Sequence, residues 1–317
     1  MSTLQNVVLL VGGVGGAKLA LGLADILPAG TLTVIVNTAD DFEHLGLHVS
    51  PDLDTVMYTL GGRANPQRGW GVEGDTFKAM EMVTTYGGAS WFNLGDYDLG
   101  TNIYRTALLR EGKTLSQITR QFCEALGIHQ YILPMTDDTV HTRLDTVEFG
   151  MMDFQPYFVR ERWQPTVTSI HFEGAEAARP ASGIVEAIKA ADALIIGPSN
   201  PFLSIDPILA IPGIRTALLD AAAPVVAVSP IVNSKALKGP AAKLMRELEL
   251  DVSPVSVARH YMFLLNGFIL DNADSHHVGD IQSLDIAATH LDTIMTTKSD
   301  KVRLAEQTIN WIEEKIV

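Results

Sequence analysis

The sequence predicts an α/β fold: a Rossmann-like, mostly parallel sheet with helices on both faces and a small β-rich insert. Three observations carry that expectation. The apolar run Val7-Val8-Leu9-Leu10-Val11 breaks at Gly12-Gly13-Val14-Gly15-Gly16 and resumes as the helix-forming Ala17-Lys18-Leu19-Ala20, which reads as strand, tight turn and helix. Short apolar runs recur at residues 31–36, 193–196 and 225–228, each closed by Asn, Gly, Pro or Ser, as buried parallel strands are. Between 129 and 177 the pattern changes to short strand-like stretches without a long helix. These boundaries give a core of residues 1–128 and 178–317 and an insert of residues 129–177.

The glycine turn would direct the N–H groups of a helix N-terminus at a phosphate. It is not the dinucleotide fingerprint, because Lys18 stands where the last Gly or Ala belongs, and it lacks the Gly-Lys-Ser/Thr of a phosphate loop. A turn without ligand is the plainer alternative. Four glycines in five residues cost stability, however, unless the backbone needs them. Gly12, Gly13, Gly15, Gly16 and Lys18 are therefore the expected nucleotide-phosphate contacts.

The second strand ends at Asn37, with Asp40 and Asp41 in the following loop. That position suits a hydrated metal or a substrate hydroxyl better than the single acid that holds a ribose in dehydrogenases. A helix over 51–60 follows, with Ser50 as cap, Pro51 at its start and Gly61 at its end. Asp52 is explained by the helix dipole alone, whereas Asp54 would join Asp40 and Asp41 around one cation if the loop folds back. Magnesium needs only one or two such carboxylates.

Residues 63–74, with Trp70 and three glycines, read as a lid. Asp75 then caps a helix that ends at Gly87-Gly88. Trp91-Phe92-Asn93-Leu94 reads as a short strand ending at the acid pair Asp96 and Asp98, where Asp96 is either chemical or an N-cap. Helices run to Arg110 and, under a Thr114/Gln117 capping box, over 115–126. In the insert, strands are expected around 131–133, 140–144, 157–159 and 166–172. Asp137-Asp138 is a turn there, and Tyr157, Arg160, Arg162 and Trp163 either flank a flat or anionic substrate or simply close a solvated strand end.

Gly197-Pro198-Ser199-Asn200-Pro201 forms a second β-α turn facing the first, so Ser199, Asn200 and Pro201 join Asn37 as nucleotide contacts. Lys235 and Lys238 make a local basic cluster. A last strand over 268–271 and a terminal helix from Asp300 to about Ile316 complete the chain.

Composition sets outer limits. The 317 residues carry 47% hydrophobic and 19% charged side chains, ordinary for a globular enzyme, and a formal net charge of −14. That charge argues against nucleic acid or an anionic membrane as partner. The single cysteine, Cys123, lies inside a helical pattern and reads as a small buried hydrophobe. The N-terminus lacks a basic segment and a long apolar run, so cytoplasm is the default location.

The chain resembles the 2-phospho-L-lactate transferases (CofD, bacterial FbiA) of coenzyme F-420 biosynthesis. The likeness runs through Gly12 to Leu19, Asn37-Thr38-Ala39-Asp40-Asp41, Ser50-Pro51-Asp52-Leu53-Asp54-Thr55-Val56, Trp70-Gly71, Asp75-Thr76-Phe77, Leu94-Gly95-Asp96, Pro134-Met135-Thr136-Asp137-Asp138, Gly197 to Pro201 and Val228-Ser229-Pro230-Ile231. It departs at Tyr97, where relatives carry a charge, and at Gly100-Thr101-Asn102, where they carry Ala-Thr-His.

The resemblance implies a Mg2+-dependent transfer of a phospho-acyl unit, from a guanosine diphosphate-linked donor to the ribityl hydroxyl of the deazaflavin Fo, releasing GMP. Gly12 to Lys18, Ser199 and Asn200 would hold the nucleotide, and Asp54 with Asp40 or Asp41 the magnesium. A spare carboxylate among Asp54, Asp41 and Asp96 would take the proton. Small-molecule substrates are the partners implied, with a homodimer allowed. A competing reading is a non-enzymatic nucleotide-sugar-binding regulator of the gluconeogenesis-factor type, which would not need so many carboxylates at strand ends.

Overall fold

The computed structural model describes residues 4–236 and 239–316; Lys238, half of the expected basic pair, lies outside them. Fourteen strands are present among the described residues: β1 Val7–Val11, β2 Leu32–Val36, β3 Phe42–His44, β4 Leu47–Val49, β5 Tyr131–Pro134, β6 His141–Thr146, β7 Gly150–Asp153, β8 Val167–Glu173, β9 Ala193–Ile196, β10 Val225–Val228, β11 Ile231–Val232, β12 Lys235–Ala236, β13 Gly267–Asp271 and β14 Ala287–Leu291. Seven of them form the central sheet, in the order β14-β13-β10-β9-β1-β2-β5. All of its neighbours are parallel.

β1 shows why a five-residue apolar run makes a central strand. Side chains alternate between faces, and Val7, Leu9 and Val11 enter one core while Val8 and Leu10 enter the other. The first core is closed by helix α1 (Gly13–Ile26), helix α2 (Pro51–Leu60) and the C-terminal helix Lys298–Lys315. Leu19 and Leu23 of α1 are fully buried there, each worth roughly 1.5–3 kcal/mol relative to an exposed side chain. The second core receives the antiparallel sheet β7-β6-β8 and the short helices after residue 183.

The order reverses at β1. From there the chain proceeds outward through β2 and β5, returns to β9, and then proceeds the other way through β10, β13 and β14. The crevice beyond the C-terminal ends of β1 and β9 is thus the switch point where open α/β sheets place their ligands.

Several expectations are corrected. Residues 131–133 belong to the parallel sheet, because Tyr131–Pro134 pairs with β2 and closes that edge. Residues 157–159 lie in a π-helical turn, Pro156–Arg160, and not in a strand. Trp91 to Leu94 form no strand; their aromatic rings pack instead on Phe42 and His44. The capping box at Thr114 and Gln117 is present at the start of a helix over Leu115–Ala125, and Thr297 with Asp300 makes a second one on the C-terminal helix.

Candidate active site

A cavity of about 870 Å3 opens at the switch point. Its lining includes Gly12, Gly13, Gly15 and Lys18 on one side, and Trp70, Trp91, Phe92, Phe154 and Phe158 as an aromatic wall. The two β-α turns that form its base are clipped together by one hydroxyl. Ser199 Oγ accepts from Gly12 N at 3.1 Å and donates to Gly12 O at 2.8 Å.

Close packing explains most of the glycine pattern. A Cβ on Gly15 would lie 2.4 Å from the carbonyl oxygen of Pro198, one on Gly16 2.5 Å from Val11 Cβ, and one on Gly12 2.4 Å from Asp52 Oδ2. Gly13 alone of the four takes a positive φ, +62°. The helix they open has Gly12 as its N-cap, no side-chain cap of its own and no acid in its first turn; the acid at its N-terminus is Asp52 of α2, which accepts from Gly13 N–H, and that end of the helix lines the cavity.

The other expected nucleotide contacts are partly committed to the protein. Lys18 lines the cavity, with Nζ 2.6 Å from Met295 O. Asn200 also lines it, while its Oδ1 accepts from the N–H groups of Phe202 and Leu203 at the start of a turn over Pro201–Ile205, where Pro201 itself is buried.

Asn37 is fully buried and works between acids: its Nδ2 lies 3.1 Å from both Asp40 Oδ2 and Asp52 Oδ2. Asp40 and Asp52 both line the cavity. Burial, with the charge of Asp52 next, holds the Asp40 carboxyl well above its ordinary value, and Asp40 Oδ1 is buried without a hydrogen-bond partner. Burial likewise pushes Asp52 up to about 6, against hydrogen bonds from Asn37 and Gly13.

Asp52 is the residue that sequence reasoning missed. Its place in the first turn of α2 was accounted for by the dipole, and only the approach of α2 to the glycine turn reveals a second role. Two hints were readable: a glycine at position 12 and an amide, Asn37, at the tip of β2.

Asp54 does not pair with Asp40 in the folded chain. Its two oxygens accept from the guanidinium of Arg105, which also donates to Asn102 Oδ1 at 2.8 Å. Asp41 accepts from Ser50 Oγ at 2.7 Å and sits 3.1 Å from His48 Nε2, and its Oδ1 is buried without a partner. Ser50 is thereby drawn to Asp41 and makes no side-chain cap on α2.

Asp75 and Asp96 exchange their expected parts. Asp75 accepts from Tyr97 N at 2.7 Å. Asp96 accepts from Thr76 Oγ1 and from the N–H groups of Lys78 and Ala79, and so caps α3 (Lys78–Thr85). Those hydrogen bonds, that of Thr76 first, hold its carboxyl below the usual range. Asp98 lines the cavity two residues further on, in the first turn of α4 (Asp96–Arg110). It accepts from Tyr58 Oη at 2.9 Å.

From the insert, Phe154, Gln155, Phe158 and Val159 reach the cavity. Tyr157 is buried under Lys243 Nζ, 5.8 Å above its ring, and Arg160 pairs with Glu161. Asp137 accepts from Ser116 N and Asp138 from Arg179 N, bridging neighbouring segments. Over the expected lid, Arg68 stacks on Trp70 at 5.5 Å and on Phe77 at 5.3 Å.

No group of three or more His, Cys, Asp or Glu is poised for a metal among the described residues. The pair Asp40 and Asp52, with an unpartnered buried oxygen, still fits a cation of the magnesium kind, which takes one or two carboxylates and completes its shell with water and phosphate.

Comparison with known proteins places this geometry. The model of a family described as 2-phospho-L-lactate transferase CofD matches residues 7–317. A phosphoenolpyruvate transferase of Streptomyces griseus is 41% identical over 315 residues, covering 98% of this chain and 99% of its own. A 2-phospho-L-lactate transferase of Methanosarcina acetivorans is 39% identical over 299 residues, covering 94% and 96%. Among solved structures, a member of the UPF0052 family from Bacillus halodurans superposes with a TM-score of 0.65 at 16% identity, over 96% of this chain and 98% of that one. That likeness bears on the fold. The α/β sheet, the switch-point cavity and the match across nearly the whole sequence converge: the chain belongs to the CofD family of transferases.

Proposed function

We propose that the protein transfers a phospho-acyl unit from a guanosine diphosphate-linked donor to the ribityl hydroxyl of the deazaflavin Fo, releasing GMP, with Mg2+ bound. The observation that carries this reading is a single cavity that joins a dipole-bearing glycine turn, a pair of buried carboxylates and an aromatic wall. Membership of a transferase family supports the reaction type. The relatives' names support two identities for the acyl unit, phosphoenolpyruvyl and 2-phospho-L-lactyl.

In-line displacement at phosphorus asks for a fixed nucleotide, compensated charge and an oriented hydroxyl. The α1 N-terminus, Lys18 and the Asn200 amide face the donor phosphates. Trp70, Trp91, Phe92, Phe154 and Phe158 offer flat apolar surface to a tricyclic acceptor and exclude water from the transfer. Asp40 and Asp52 would hold the cation. When bound, it neutralises phosphate oxygens and stabilises the leaving nucleotide.

Titration of Fo into the purified protein, followed by the fluorescence of the deazaflavin, tests the acceptor half of the reading. Saturable binding is expected. A protein that leaves Fo fluorescence unchanged while binding a UDP-sugar would contradict it in favour of the regulator.

A further inference from the structure

Of the pair Asp96 and Asp98, Asp96 is the acid that the sequence offers for chemistry, yet its carboxylate is spent on capping α3. Its neighbour Asp98 is placed otherwise. Asp98 is one of the residues lining the cavity, and among the described residues its carboxylate takes one hydrogen bond, from Tyr58 Oη to Oδ1, while its backbone carbonyl accepts from Asn102 Nδ2. Tyr58 is in turn tied to Thr101 one turn further along α4. Burial, with the charges of Asp54 and Asp98 next, pushes the Tyr58 phenol far up, so it remains a donor. Oδ1 is thereby fixed, and Oδ2 is left for a ligand.

The position along the cavity matters as much. Asp52 and Tyr58 both line it from α2, six residues or about 9 Å apart along the helix axis. The glycine turn lies at the Asp52 end, where Asp52 touches Gly12 and Gly13. Asp98 lies at the other, joined through α4's first turn to Trp91, Phe92 and Asn93 of the lining. A donor held by its phosphates at one end would present its far phosphorus toward the other.

We propose that Asp98 is the catalytic base for the acceptor, held in place by the positioning residue Tyr58: Oδ2 receives the hydrogen bond of the attacking hydroxyl and then its proton. The proposal rests on the transfer reaction above. The acceptor oxygen forms a bond to the phosphorus that bears the acyl group, and the bond from that phosphorus to the bridging oxygen breaks. The electron pair leaves with GMP, and the hydroxyl proton passes to Asp98 and then to water.

The groups that set the state of Asp98 are all on two helices and one loop. Burial pushes its carboxyl up to about 7, with the charge of Asp54 on α2 adding to the rise and Asp75 contributing last; the Tyr58 hydrogen bond and then Arg105 on α4 oppose it. A base of that kind is half ionised near neutrality, where general-base help is greatest.

The test compares wild type, Asp98→Asn and Tyr58→Phe in the transfer of Fo, with kcat measured from pH 5 to 9 and GDP binding and melting temperature as controls. Asp98→Asn should lose about 10²- to 10⁴-fold in kcat, and keep its GDP affinity and fold. Tyr58→Phe removes a hydrogen bond that favours the ionised acid, so the acidic limb of its kcat profile should move to higher pH while the alkaline plateau largely survives. Asp98→Asn with near wild-type kcat, or Tyr58→Phe with an unmoved limb, would overturn the assignment and leave the transfer reaction standing. A wild type that does not turn over Fo at all would overturn both.

Discussion

The guanidinium of Arg105, 1% exposed, takes both carboxylate oxygens of Asp54, itself one of the residues lining the cavity, and so ties α4 to α2 at the cavity wall. It is the buried cation beside a run of acids in which Asp52 and Asp41 add to the cost of ionising Asp40, Asp41 to that of Asp54, and Asp54 to that of Asp98. Burial raises the Asp54 carboxyl and Arg105 opposes the rise. Removing one partner leaves the other charge buried and unpaired, at roughly 3–5 kcal/mol. Urea denaturation of Asp54→Asn and Arg105→Met should each show losses of that order. The double variant should lose clearly less than their sum, and strict additivity would contradict the pairing.

Glycines 15 and 100 should respond oppositely to alanine. A Cβ at Gly15 meets Pro198 O at 2.4 Å, whereas one at Gly100, inside α4, meets nothing within 4 Å. Gly15→Ala is expected to lose about 1–3 kcal/mol by overpacking the joint between the two turns. Gly100→Ala is expected to gain about 0.5–1 kcal/mol from helix propensity. Thermal denaturation of the two variants decides, and equal effects would show that the turn relaxes freely.

Much of this was legible in the sequence. The glycine turn, the strand runs after it and the capping box at Thr114 and Gln117 are local signals, and each appears where its pattern put it; the terminal helix starts two residues ahead of Asp300, under Thr297. What escaped depends on contacts between distant segments. Trp91 and Phe92 look like strand residues, but they serve an aromatic cluster with Phe42 and His44. Asp52 and Asp54, two apart on α2, have different fates because one end of the helix meets the glycine turn and the other side meets α4. Asp96 and Asp98 likewise divide between a cap and the cavity according to which helix turn lies opposite, a fact no spacing contains.

Asp98 should make stability depend on pH in a defined direction. Its folded carboxyl holds its proton up to about 7, against about 3.9 in the unfolded chain. The unfolded state therefore binds fewer protons between those values, and this group's contribution to stability falls as pH rises through the window. The full elevation corresponds to on the order of 4 kcal/mol. Asp98→Asn should melt higher than wild type at pH 8, with the advantage shrinking toward pH 4.5. A variant less stable than wild type at pH 8 would contradict the burial of that charge.

Cys123 is buried in the helix Leu115–Ala125, and burial pushes its thiol up to about 12. Native protein should react with iodoacetamide at pH 8 far more slowly than the urea-unfolded chain. Cys123→Ser should keep full activity. Rapid native labelling, or activity lost without a change in melting temperature, would contradict that placement.

The central claim is the transfer itself, and mass spectrometry of the reaction mixture tests it most directly. Protein, Fo and Mg2+ are incubated in separate vessels with guanosine diphosphate esterified on its terminal phosphate by enolpyruvate, L-lactate or glycerate. The account predicts that at least one vessel yields GMP and Fo heavier by the corresponding phospho-acyl unit in equal amounts, and that a chelator of divalent cations stops both. Unchanged Fo in every vessel, at enzyme and substrate concentrations that saturate GDP binding, would contradict it.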